Sequence, residues 1–155
     1  DASELWKIRI RPLAGGRACA FCAASPHYVW KVSIPLSEIT QKIQTKMSWR
    51  GALTKISVKE RNPSGRVRTL SLTDDQGRVS DVAAKDFRIW LGPDIIRSTH
   101  FSVAVDGPNV QFSGRGWGHG VGLCQWGALG MAQEGYSYSD ILAFYYPGAR
   151  VIVLT

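Results

Sequence analysis

No run of apolar residues in this 155-residue sequence approaches membrane-spanning length, and its first residues do not read as a signal peptide. Acidic residues are in the minority. Twelve Asp and Glu stand against nineteen Lys and Arg, a formal charge of +7. That balance suits an acidic polymer such as nucleic acid or an anionic cell wall. The basic residues are nevertheless spread along the chain without a dense cluster, and no helix-turn-helix or RNP-type aromatic motif accompanies them. A solvated basic surface is therefore the plainer reading, and nucleic acid is not an expected partner. Cysteine is scarce as well: three cannot all pair within one chain, which argues against a disulfide framework. Internal repeats, low-complexity tracts and linkers are lacking, so at 45% hydrophobic content the chain is expected to form one unit with a working core.

What is present reads as α+β, a strand-rich single unit with several short helices. Trp6, Ile8 and Ile10 alternate with basic residues as a half-buried strand, and Tyr28, Trp30, Val32 and Ile34 alternate as another. Pro35 opens a helix to about Met47, with Leu36, Ile39, Ile43 and Met47 on one face. The segments 56–60 and 66–72 are joined by the turn sequence Asn62-Pro63-Ser64-Gly65, and Asp74-Asp75-Gln76-Gly77 returns the chain through 79–82. A short helix over 84–91 stops at Gly92-Pro93. Phe101, Val103 and Val105 turn through 106–109 into Val110 and Phe112. Ser137 caps a short helix with Asp140 at its third position, Pro147-Gly148 ends it, and 151–154 reads as a last buried strand.

Between these elements, residues 114–127 hold six glycines, two tryptophans, Arg115, His119 and Cys124. Glycine at alternate positions is poor for helix or strand and makes sense where the backbone turns sharply or approaches a ligand. A helical pattern from about Val121 to Glu134 follows, with Gly135 as its C-cap. The expected layout is a glycine loop leading into a longer helix, with Arg115 and His119 beside N–H groups that favour polar or anionic ligands.

Cys19 and Cys22 have the C-x-x-C spacing that lets two thiolates face one tetrahedral ion. A second C-x-x-C pair is absent, so further ligands must come from elsewhere. His27 is close in sequence and Cys124 is the remaining cysteine, with His119 as the alternative fourth ligand. A structural zinc on Cys19, Cys22, His27 and Cys124 is the favoured reading. A Cys19–Cys22 disulfide, a thioredoxin-like redox pair and three buried thiols with no role stay open beside it. His100 reads as an ordinary surface or core histidine.

The run Gly116-Trp117-Gly118-His119-Gly120-Val121-Gly122-Leu123-Cys124-Gln125-Trp126-Gly127-Ala128, followed by Ile141-Leu142-Ala143-Phe144-Tyr145-Tyr146-Pro147-Gly148, resembles the signature of the stage II sporulation protein D family, also called SpoIID/LytB or amidase-enhancer. The likeness extends back through Gly65-Arg66-Val67, Phe87-Arg88, Leu91-Gly92 and Ser98 to Phe101, and to Ser25-Pro26-His27-Tyr28, so it covers nearly all of residues 1–155. It implies a cell-envelope, extracytoplasmic protein acting on peptidoglycan glycan strands stripped of peptide stems. The family reaction is lytic transglycosylation: a carboxyl group protonates the glycosidic oxygen and the sugar's own 6-hydroxyl closes a 1,6-anhydro ring. It requires no metal. The family's catalytic glutamate lies in an upstream P-S-E-M/W-like segment that has no counterpart here. None of Glu4, Glu38, Glu60 and Glu134 stands in a matching context, so the chain resembles the family's C-terminal portion and no catalytic residue is assigned. In that portion Trp117, Trp126, Tyr145 and Tyr146 would offer faces to sugar rings. Arg115, His119 and Gln125 would make the polar contacts, Arg115 to a lactyl carboxylate. The family's other name implies a second role, a non-catalytic wall-binding module that stimulates an amidase.

Overall fold

The computed structural model describes residues 2–3, 7, 9–15 and 17–152. The fold is α+β, and its contacts define two compact units: Val29–Gly118, and the residues up to Tyr28 together with those from His119 onward.

The Val29–Gly118 unit carries two antiparallel three-stranded sheets. In one, β6 (Asn109–Arg115) lies between β1 (Val29–Pro35) and β5 (Phe101–Asp106). In the other, β3 (Val67–Asp74) lies between β2 (Leu53–Arg61) and β4 (Val79–Ala83). Helices α1 (Leu36–Gln44) and α2 (Ala84–Leu91) contact each other and pack on β2 and β3. The expected helical face is the buried one: Ile39 and Ile43 are buried and Leu36 and Met47 half-buried. Thr40 ties α1 to β2, its hydroxyl donating to the Leu36 carbonyl (2.8 Å) and accepting from the Leu53 N–H (3.0 Å). The core runs through Trp30, Phe87, Phe101 and Phe112, and burying each aromatic side chain contributes about 1.5–3 kcal/mol.

The turn at 74–77 shows why a polar residue is buried at a strand end. The Asp74 carboxylate accepts from the N–H groups of Gln76 and Arg78 (both 2.9 Å) and from Arg78 Nε (2.7 Å). Burial pushes its pKa up, but these hydrogen bonds and the Arg78 charge outweigh that and hold the carboxyl below the ordinary range.

The other unit holds a 3₁₀ turn (Arg11–Leu13), α3 (Gln125–Gln133) and α4 (Tyr138–Tyr145). Its core is small. Met131, Ile141 and Tyr145 are buried, with Cys19, Phe21, Leu123, Cys124 and Phe144 packed around them. The Ser137 cap of α4 is a full capping box with Asp140, as the sequence predicts.

Three expectations need correction or limitation. The helix after the glycine run starts at Gln125, four residues later than its apolar pattern suggested, because Gly120 and Gly122 have φ of +71° and +90° and cannot belong to a right-handed helix. Val151 and Ile152 are exposed and outside any strand, while Val153 and Leu154 lie outside the described residues. Of the N-terminal strand expected over Trp6, Ile8 and Ile10, Trp6 and Ile8 also lie outside them, and Ile10 is exposed and outside any strand.

Candidate functional site

The segment 97–101 is the hub of the Val29–Gly118 unit. Ser98, fully buried, donates its hydroxyl to the Arg115 carbonyl (2.6 Å) and accepts from the His100 N–H (3.1 Å). Gly118 N–H donates to the Arg97 carbonyl, Arg115 N–H to that of His100 and Val67 N–H to that of Thr99. These bonds bring the start of the glycine run beside the turn at 62–65, although the two are some fifty residues apart in sequence.

Four basic side chains meet there. Arg61 donates from Nη1 to the Gly65 carbonyl (2.7 Å) and from Nη2 to that of Phe101 (2.8 Å), and Arg66 Nη1 donates to the Gly118 carbonyl (3.4 Å). Burial pushes the Arg66 guanidinium pKa down, and the neighbouring Arg88 pushes it further. His100 is held below its ordinary value by burial first, then by the charges of Arg66, Arg115 and Arg61. A group of like charges lowering an imidazole pKa favours an anion, which would relieve them all. Beside it Trp117, 48% exposed, has the Arg97 guanidinium over its ring at 5.7 Å from the centroid. Of the residues named from sequence, Arg115 and Trp117 belong to this unit. Arg61 and Arg97 were not singled out in the sequence, Arg66 only within the family likeness, and His100 read as an ordinary histidine: positions 61, 66, 97, 100 and 115 form no cluster along the chain.

The remaining sequence candidates belong to the other unit. His119 is exposed, and its Nδ1 accepts from the Val121 N–H (3.0 Å). Gln125 is the first residue of α3 and exposed, and Trp126 follows it, also exposed. Tyr146 is half-buried and its hydroxyl accepts from the Leu123 N–H (3.1 Å), bracing the end of the glycine run. Tyr145 is buried: its ring packs edge-on against Phe144, 4.9 Å between centroids, and its hydroxyl meets Cys19 Sγ at 3.1 Å. That packing keeps its face from solvent.

The three cysteines gather in this unit, and none is in a disulfide. Cys22 is pushed up to about 11, by burial first and then by its neighbours Cys19 and Cys124. Its thiol donates to the Cys19 carbonyl (3.8 Å). Among the described residues, no group of three or more His, Cys, Asp or Glu is arranged to hold a metal ion as it stands. The described glutamates Glu38, Glu60 and Glu134 are all exposed, Glu60 in an ion pair with Arg68 at 2.9 Å.

A family model described as a domain of unknown function, DUF8618, matches residues 21–122. The chain belongs to that family. It is also SpoIID-like, by its similarity to named relatives. Stage II sporulation protein D of Bacillus subtilis is 31% identical over 127 residues, 82% of this chain and 34% of the relative. The amidase enhancer of the same organism is 43% identical over 70 residues, 45% of this chain and 10% of the relative. An uncharacterized protein of Brachyspira hyodysenteriae is 30% identical over 141 residues, 91% of this chain and 37% of the relative. The SpoIID-like chain thus spans about a third or less of each of these relatives. Among its described residues no helix is long and apolar enough to cross a membrane.

Proposed function

We propose that this chain is the glycan-binding part of a bacterial cell-wall domain of the lytic transglycosylase kind, and that it takes strands stripped of their peptide stems. The observation that carries the reading is the pairing of an exposed Trp117, flanked by Arg97, with the gathering of Arg61, Arg66, Arg115 and His100. A sugar ring stacks its C–H face on an indole. Removing a peptide stem leaves a free lactyl carboxylate, and an arginine cluster binds carboxylates with charge-assisted hydrogen bonds. In the other unit, considered by itself, the exposed His119 and Gln125 offer polar groups of their own to sugar hydroxyls. The names of the relatives support a place in the cell envelope, outside the cytoplasm, in sporulation or wall remodelling.

A second reading has its own support. No described glutamate is buried, so none has the desolvated setting that tunes a carboxyl to act as an acid near neutral pH. Together with the likeness to an amidase enhancer, this favours a non-catalytic wall-binding module that presents an amidase with its substrate. Incubating the chain with peptide-free glycan strands and searching for 1,6-anhydro ends by mass spectrometry separates the two. Anhydro ends place the acid within these 155 residues; co-sedimentation without them supports the binding module.

A further inference from the structure

We infer that a cavity in the smaller unit takes a dipolar amino-acid end, an ammonium and a carboxylate on one carbon, carried on an aliphatic chain. The cavity measures about 500 Å³, a volume that suits a small ligand. Met131 and Ala143 give it an apolar lining, Tyr136 and Phe144 add ring surface, and Arg17 and Asp140 bring one charge of each sign. All six belong to the residues up to Tyr28 or from His119 onward, so the cavity is complete within one unit.

Local packing fixes its walls. A Cβ on Gly130 would overlap the Phe21 carbonyl oxygen, so glycine is what lets the chain around residue 21 lie so close to α3. Phe21 then meets Tyr136 edge-on, 5.7 Å between ring centroids, and Phe144 in the same way at 6.0 Å. Between α3 and α4 the Tyr136 N–H donates to the Met131 carbonyl (3.0 Å), and Gly135 makes the turn with φ of +90°. Tyr136 is exposed, Phe144 half-buried and Met131 buried.

The charges decide the ligand. The Arg17 guanidinium stands over the Phe144 ring, 5.8 Å from its centroid. That contact orients the cation and covers one face of the ring, which disfavours stacking a sugar there. Neither Arg17 nor Asp140 forms an ion pair with a described residue. Ser137 donates its N–H and its hydroxyl to Asp140 Oδ2, while Oδ1 has no hydrogen bond among the described residues. The same bonds hold this carboxyl below the ordinary range, so it is ionised at neutral pH. A cation and an anion that line one cavity without pairing suit a ligand that carries both charges. Its carboxylate accepts from Arg17 and its ammonium donates to Asp140 Oδ1, both as charge-assisted bonds, while its aliphatic chain covers Met131 and the Tyr136 ring. A free amino acid and the amino-acid end of a wall peptide share this chemistry.

The test uses the whole chain with its methionine methyl groups carbon-13 labelled. There are two methionines: Met131 lines the cavity and Met47 belongs to the other unit. In a titration, at least one enantiomer of norleucine is expected to move the Met131 methyl resonance and leave that of Met47 in place. Hexanoate, which lacks the ammonium, and pentylamine, which lacks the carboxylate, should each bind about tenfold more weakly. Arg17→Gln should erase the preference for norleucine over pentylamine, and Asp140→Asn the preference over hexanoate. Circular dichroism checks that both variants remain folded, and the ligand series needs no substitution at all. A tripeptide ending in meso-diaminopimelate, whose far end is dipolar, separates the sources. Its binding assigns a peptide-borne end, and binding of norleucine without it assigns a free amino acid. A Met131 resonance unmoved by norleucine and by the tripeptide, equal binding of hexanoate or pentylamine, or unchanged preferences in the folded variants overturns the site. None of these probes contains a sugar, so the result is independent of the proposed glycan binding.

Discussion

Trp30 and Gly114 face each other across the β1–β6 register, and the indole lies so close to the glycine that a Cβ there would overlap the ring. The same indole donates its N–H to the Gly116 carbonyl at 3.0 Å. One core tryptophan thereby sets both the last residues of β6 and the entry to the glycine run. Gly114→Ala should cost about 1–3 kcal/mol, the usual cost of overpacking, and more if β6 shifts its register. Chemical denaturation followed by tryptophan fluorescence measures it, with Gly107→Ala, which meets no neighbour but has φ of +57°, as a milder comparison.

The Ser137 hydroxyl accepts from the Asp140 N–H at 3.2 Å, and the Asp140 carboxylate accepts from the Ser137 N–H at 3.0 Å. Ser137→Ala removes the cap and should cost about 1 kcal/mol. The hydrogen bonds from Ser137 hold the Asp140 carboxyl below the ordinary range, so the same substitution should move its titration upward, toward the ordinary carboxylate value. Carboxyl chemical shifts against pH would show the change.

His100 carries a pH dependence of known sign. Its folded-state pKa lies below 6.5, so between that value and 6.5 the unfolded chain binds more protons than the folded one. Stability contributed by the neutral imidazole is present above 6.5 and is lost as pH falls through the folded pKa. Thermal midpoints of the native chain should fall over this window, and His100→Gln should flatten the slope. A bound carboxylate offsets the charges of Arg66, Arg115 and Arg61, so saturating glycan should raise the His100 pKa, as imidazole resonances would report. A pKa unmoved by glycan would contradict the role given to the patch.

Much of the architecture was legible because it is local. Alternating apolar residues at Trp30, Val32 and Ile34, and turn sequences at 62–65 and 74–77, mark strands and hairpins within a few residues of where they lie. The helix Ala84–Leu91 ends where Gly92-Pro93 says it should. What escaped depends on distant contacts. The placement of β6 between β1 and β5 pairs Trp30 with Gly114, eighty-four positions apart, and no periodicity announces it. The basic patch was hidden for the same reason, since only the bonds of the 97–101 segment to Arg61, Val67 and Arg115 bring Arg61 and Arg66 to Arg115. The start of α3 was misjudged because Val121 and Leu123 fit an apolar helical pattern, while Gly120 and Gly122, on either side of Val121, fix a backbone that is not helical. The C-x-x-C pair was visible in sequence, but the packing of Cys19 and Cys124 against one small core and the burial of Tyr145 against Cys19 belong to tertiary structure.

The central claim is that Trp117 and its arginine neighbours read stripped glycan, and a binding titration tests it most directly. The chain is titrated with peptide-free strands, with strands that keep their stems, and with peptide-free strands whose lactyl carboxylates are amidated. The account predicts tightest binding to the first, weakened as salt rises, and reduced about tenfold by Trp117→Ala, a loss of about 1.4 kcal/mol. Equal affinity for all three strands, or a Trp117→Ala variant that binds as well as the native chain, would contradict it.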